Sequence, residues 1–152
     1  MDARIISTDD AGGFAMPHTR ALPLATGADT GGAWEALELT LGPGAASPPH
    51  TLSADKVFYL ADGELDVEVD GTTHRLRAGQ AAHVPAGVLH RYRADTAARL
   101  LVLVTGAGQV SFLRGMGALG QDGPPSPDAV AAHAARHGVR IATPPRLPDS
   151  RG

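Results

Sequence analysis

His50, Lys56, His90 and Tyr92 are the residues of this sequence with the most chemistry to offer. An imidazole takes or gives a proton near neutral pH and can ligate a transition metal. An amine moved into apolar surroundings loses proton affinity and becomes a base or a nucleophile. A phenol adds a donor for a developing oxyanion. Such groups converging in an apolar cavity would transfer protons or bind an anionic oxygen. Lys56 stands out in composition as well: of 13 basic residues it is the single lysine, the others all being arginine.

Other candidates offer less. His133 and His137 have the i, i+4 spacing of a helical metal pair, but no glutamate accompanies them as in H-E-x-x-H. Their place in a last helical turn suits the helix dipole instead. His18 and His74 read as loop and turn residues. With no cysteine there is neither a thiolate metal site nor a cysteine nucleophile.

The chain that must position these groups has 152 residues, the size of one ordinary domain. Hydrophobic residues make up 43% and charged residues 19%, a globular balance, while aromatics are only 4%, so the core must be aliphatic. A formal charge of −3 gives no basic footprint for nucleic acid. The longest apolar run, Leu100 to Val104, is too short to span a bilayer, and the first twenty residues lack an apolar signal region. The expectation is a cytoplasmic protein that binds a small molecule, and neither nucleic acid nor membrane.

Period-two alternation marks the middle of the chain as strands. In WEALELTLG, Leu37, Leu39 and Leu41 share one face, with Trp34, Ala36, Glu38 and Thr40 on the other. Asp62-Gly63 and Asp70-Gly71 break the following strands, the second predicting a hairpin between Leu65/Val67/Val69 and Leu76. Pro85-Ala86-Gly87 hinges two more, and RLLVLVT reads as a strand covered on both faces. Residues 1–32 read as an N-terminal arm or edge strands, 33–114 as the barrel, and 115–152 as linker, helix and tail. Gly106 to Pro127 reads as Gly/Pro-rich linker. Ser126-Pro127-Asp128 supplies an N-cap, an N1 proline and a first-turn acid for one helix over about 127–137, closed by Gly138.

Two stretches carry a resemblance. Gly44, His50 and Gly63 fit the first cupin motif, G-x5-H-x-H-x3,4-E-x6-G, and Gly79, Pro85, Gly87 and His90 fit the second, G-x5-P-x-G-x2-H-x3-N, without a gap. FYLADGEL also resembles the family's common hairpin, and the segment after the barrel is similar to the tails of bacterial quercetin-dioxygenase-like cupins. The resemblance implies an all-β fold, a double-stranded β-helix (jelly-roll) barrel, here with one C-terminal α-helix. It implies a homodimer too, since an open edge strand needs cover and cupins commonly provide it by exchanging an N-terminal arm.

Family members hold a divalent transition metal with two histidines and a glutamate from the first motif and a histidine from the second. Here Leu52 stands at the second histidine, Lys56 at the glutamate and Ala94 at the closing asparagine, leaving His50 and His90. His83 is a candidate third nitrogen. Repulsion between an ammonium and a divalent ion at about 4 Å is roughly 8 kcal/mol at an effective dielectric of 20. Deprotonating the lysine first costs about 4 to 5 kcal/mol at neutral pH. A resident metal is therefore disfavoured.

By alternation, His90 and Tyr92 face inward with Lys56, Phe58 and Leu60, on the side of His50 and Leu52. Trp34, Leu52, Phe58 and Leu60 are the expected substrate-binding lining. The leading expectation is a metal-independent enzyme performing acid/base cyclisation, isomerisation or elimination on an apolar, polyketide-like substrate through His50, Lys56, His90 and Tyr92. The alternatives are a metal-dependent dioxygenase using His50 and His90, and a non-catalytic ligand-binding or sensing cupin.

Overall fold

The computed structural model describes residues 3–10 and 12–142. The proline-rich tail from Thr143 to Pro148 lies outside them. In chain order the elements are β1 (Phe14–Met16), β2 (Thr19–Ala25), α1 (Gly27–Thr30), β3 (Trp34–Leu41), β4 (His50–Leu52), β5 (Lys56–Asp62) and β6 (Glu64–Val69). There follow β7 (Thr72–Arg77), β8 (Ala81–Val84), β9 (His90–Arg93), β10 (Ala98–Thr105), α2 (Gln109–Leu119), α3 (Pro127–Arg136) and β11 (Val139–Ile141). A six-stranded sheet, β1-β2-β3-β10-β5-β8, faces a five-stranded one, β11-β4-β9-β6-β7. Every pairing is antiparallel, giving the double-sheet jelly roll.

Alternation builds the interior. Leu37, Leu39 and Leu41 of β3, Phe58 and Leu60 of β5, Leu65 and Val67 of β6, and Leu100, Val102 and Val104 of β10 belong to one continuous apolar core. The β6–β7 hairpin turns at Asp70 (φ 50°) and Gly71 (φ 84°), the paired positive φ values of a primed turn that keeps the strands' right-handed twist. It sets Leu65 opposite Leu76. Gly63 (φ 85°) has no room for a side chain, because a Cβ would run into the Ala97 carbonyl oxygen. Among the described residues no helix is long and apolar enough to cross a membrane.

Four expectations need correction. The stretch read as linker contains α2. Its glycines disguise a helix but are needed for packing: a Cβ on Gly115 would strike the His133 ring, and one on Gly117 the Ala15 carbonyl. With α1 and α3 it makes three helices among the described residues rather than one. α3 starts at Pro127, where the Ser126 hydroxyl accepts the Ala129 N–H. Second, β10 is not covered on both faces, since Leu101 and Leu103 remain 41% and 47% exposed. Third, His74 lies in β7 and not in a turn. Fourth, Trp34 begins β3 on the outward side, 42% exposed.

Candidate functional site

β4 and β9 lie side by side with His50 directly opposite His90. Their rings are 4.2 Å apart between centroids, inclined at 49°. Each ring is oriented from behind: His50 Nδ1 is 2.8 Å from the Pro48 carbonyl oxygen and His90 Nδ1 is 2.9 Å from that of Val88. A carbonyl oxygen only accepts, so each Nδ1 carries the hydrogen and each Nε2 keeps its lone pair. The carbonyls of Pro48 and Val88, each two residues before its imidazole, thus fix the tautomers.

Lys56 opens β5 in the opposite sheet and reaches across the barrel. Its Nζ lies 3.2 Å from His90 Nε2 and 4.3 Å from the centroid of the Phe58 ring. Only 4% of the residue is exposed. Desolvation pulls the lysine from 10.5 down to about 7. Burial, with repulsion from Lys56, lowers His50 to about 3 and His90 to about 4. Burial raises the Tyr92 phenol to about 12. At neutral pH both imidazoles are therefore uncharged acceptors and the phenol is a donor. Lys56 alone is divided between its two protonation states.

His50, Lys56 and Tyr92 border a cavity of about 260 Å³, slightly below the usual range for small-molecule sites of roughly 300–1,000 Å³. His50, Lys56, Tyr92 and Gln109 supply polar groups, and Leu37, Leu39, Phe58, Val102, Phe112 and Met116 much of the apolar wall. His90 does not line the cavity; it stands behind Lys56 as the acceptor of its hydrogen bond. Leu52 and Leu60 are likewise core residues outside the lining, and Trp34 is on the far side of its sheet. His83 is exposed on β8, pointing away from the barrel interior, so it cannot join the other two histidines.

Sequence reasoning missed the α2 wall. Gln109, Phe112, Leu113 and Met116 all border the cavity, with i, i+3, i+4, i+7 spacing that betrays a helix despite Gly115 and Gly117. Buried Glu35 of β3 holds this helix in place: Oε1 accepts the Val110 N–H at its start and Oε2 the Gly27 N–H. Val139 and Ile141 of β11, a strand too short to show periodicity, also contribute.

The donor set does not fit the divalent metal of the cupin motifs. The Lys56 amine is seated on the lone pair that His90 would give to an ion, and among the described residues no anionic ligand joins the two imidazoles. Among the described residues no three His, Cys, Asp or Glu side chains come together as a metal site. The two neutral imidazoles offer neither charge neutralisation nor a third coordinating atom.

Comparison with known proteins agrees with the geometry. Residues 37–105 match the model of the Cupin domain family. Over 94 residues the chain is 34% identical to quercetin 2,3-dioxygenase of Bacillus subtilis, a match covering 61% of this chain and 28% of that enzyme. The chain thus spans little more than a quarter of that relative's length. Among solved structures, KdgF from Halomonas sp. superposes with a TM-score of 0.64 at 19% identity, covering 73% of this chain and 99% of that one. The polyketide cyclase RemF from Streptomyces resistomycificus gives 0.58 at 22%, covering 69% and 80%. A cupin sugar phosphate isomerase from Silicibacter pomeroyi gives 0.53 at 27%, covering 61% and 62%.

Proposed function

The chain belongs to the cupin superfamily, and from that premise we propose that it is a small-molecule enzyme whose barrel moves protons on an apolar oxygenated substrate without a resident metal. The observation that carries this reading is the Lys56 Nζ held 3.2 Å from the His90 lone pair at the wall of an apolar cavity. Related cupins include enzymes by name, a dioxygenase and a sugar phosphate isomerase.

Roles follow from protonation states. Lys56, near half-protonated at neutral pH, takes a proton from an acidic C–H and returns it elsewhere on the substrate, a base poised close to the working pH. His90 accepts the amine hydrogen and so orients Lys56; it is a positioning residue. His50 presents its Nε2 lone pair to a migrating proton, and Tyr92 its O–H to an oxygen. The wall selects against charged substrates, since a carboxylate or phosphate would be stripped of water with one lysine for compensation. Isomerisation, cyclisation and elimination each need only such transfers; the polyketide-like substrate class rests on the apolar lining.

The test uses an aryl methyl ketone, acetophenone, as probe. Exchange of its α-hydrogens in D2O, followed by mass spectrometry, should be accelerated over buffer at least ~10²-fold, the lower end for a positioned acid/base group. Lys56→Met should abolish the acceleration, and a chelator should leave it unchanged. Loss of exchange on chelation, restored by Fe, Mn, Ni or Zn, would transfer the assignment to the metal-dependent dioxygenase class. No exchange above buffer, together with ligand binding, would leave a sensing module.

A further inference from the structure

Resting on that reading of the cavity, we propose that Lys56 is a covalent nucleophile whose amine condenses with the carbonyl carbon of an apolar aldehyde or ketone held in the barrel. The argument begins with hydrogen-bond capacity. An ammonium has three N–H bonds to satisfy, yet among the described residues Nζ finds one acceptor, His90 Nε2, and otherwise the face of Phe58. Among the described residues no carboxylate pairs with it. A neutral amine fits better: one hydrogen goes to His90 and the lone pair stays free. The residue also borders the cavity, so that lone pair is within reach of a ligand. The lowered proton affinity of the buried amine is consistent with this and populates the nucleophile at neutral pH.

The chemistry balances without an external oxidant or reductant. The nitrogen lone pair forms a bond to the carbonyl carbon while the C=O π pair moves to oxygen, and the nitrogen passes one of its two protons to that oxygen, giving the hydroxyl of a carbinolamine. The Tyr92 O–H then protonates the hydroxyl, water leaves, and the nitrogen lone pair closes the C=N bond as a protonated imine. Its remaining N–H proton returns to the Tyr92 oxygen. The sum is a carbonyl plus an amine giving an imine plus water. Tyr92, protonated throughout the neutral range, lines the same cavity as a donor to the carbonyl oxygen. While it is still protonated, the imine makes the adjacent C–H more acidic than the parent ketone does, which joins this step to the proton transfers above. The substrate class is thus an uncharged carbonyl compound bearing an α-hydrogen.

The composition makes the test clean, because Lys56 is the only lysine and the terminal α-amine is the other amine on the chain. The 152-residue chain is incubated with benzaldehyde and cyanoborohydride at pH 7, and intact mass and peptide mapping follow. The expected result is a mass gain equal to the aldehyde less its oxygen, on the peptide containing Lys56. The free-amine fraction at pH 7 exceeds that of an ordinary lysine by about a thousandfold. Lower intrinsic nucleophilicity of a weaker base reduces this, so labelling about 10²-fold faster than an N-acetyl-lysine amide control is expected. Lys56→Arg keeps a basic side chain that cannot form the imine, and should show no such gain while remaining folded by circular dichroism. Labelling confined to the terminal amine, or at Lys56 no faster than the control, overturns the inference. If labelling fails but Lys56→Met still abolishes deuterium exchange, the amine is a proton carrier only, and the acid/base reading survives without the covalent step.

Discussion

Replacing Lys56 with methionine should make the protein more stable at neutral pH, an unusual outcome for a fully buried core position. Two opposed costs decide the sign. A lysine whose proton affinity falls from 10.5 to about 7 on folding destabilises the native state at pH 7 by about 4 kcal/mol, each tenfold change being worth about 1.4. Methionine has similar length, removes that cost and packs against Phe58. It also leaves His90 Nε2 without its donor, a buried acceptor worth about 1–3 kcal/mol. The net expectation is about 1–3 kcal/mol of stabilisation, or a midpoint several degrees higher, at roughly 2–4 °C per kcal/mol for a chain of this size. The pH dependence has a definite sign. Between about 7 and 10.5 the unfolded chain binds a proton that the folded chain does not, so wild-type stability rises with pH across that window. Below about 7 both states are protonated and the full cost is present. Denaturant unfolding of both proteins at pH 7 and pH 10 should show wild type gaining about 3–4 kcal/mol on the variant, enough to reverse their order. The Tyr92 phenol, raised by burial, begins to matter at the alkaline end but is common to both and cancels. A variant clearly destabilised at pH 7, or a difference that does not change with pH, would show that the amine is solvated or paired and would refute the burial argument.

Acid should act on the other two groups with the same sign, in a lower pH window. Because His50 and His90 are held at about 3 and about 4 while the unfolded chain protonates near 6.5, stability should fall as pH drops from 6.5 toward 4, by up to about 2.7 kcal/mol per pH unit. Urea midpoints at pH 7, 5.5 and 4.5 check this, and His50→Gln should roughly halve the slope. The homodimer proposed from the sequence gains a specific surface from the contrast between the two outer faces. The five-stranded sheet carries Arg75, Asp66, Arg91 and Glu68 in ion pairs, whereas the six-stranded one presents Tyr59, Leu101 and Leu103, each over 40% exposed. Light scattering should give about twice the 15.6 kDa chain mass, falling to the monomer in Leu103→Glu; a monomeric wild type would remove the idea.

What the sequence discloses is what alternation controls. In β9 the order His-Arg-Tyr-Arg places two inward groups between outward arginines, and the same parity puts Lys56 with Phe58. The spacing of two glycine- and proline-marked motifs locates both strands in a known barrel. Parity also contained the correction for Trp34, since its face in WEALELTLG is opposite to that of the three leucines that bound the core. Two kinds of information were not local. The apolar run in β10 looks the same whether its second face is covered by a helix or lies open, so Leu101 and Leu103 were misjudged. In α2, Gly115 and Gly117 lower helix propensity for reasons that exist only in three dimensions, the close approach of His133 and Ala15. Missing that helix concealed an entire wall of the cavity.

The two departures from the family motif acquire a single physical meaning once Lys56 is seen on His90. In the metal-binding pattern, lone pairs of imidazoles and a carboxylate converge on a fixed divalent charge. Here the lone pair of His90 is engaged by an N–H, the carboxylate is replaced by the amine that donates it, and Leu52 removes the remaining polar ligand. Retaining glutamate at position 56 without the metal would bury an anion among uncharged rings; retaining the histidine at 52 would add a third imidazole to desolvate. Lysine with leucine avoids both, because the amine can shed its charge on burial and the leucine needs no partner. A site built to stabilise a permanent charge has thus become one whose charge is a proton, present or absent according to the amine's state. That mobility, in an apolar enclosure, is what acid/base and imine chemistry both require, and an arginine at position 56, charged at any working pH, could supply neither.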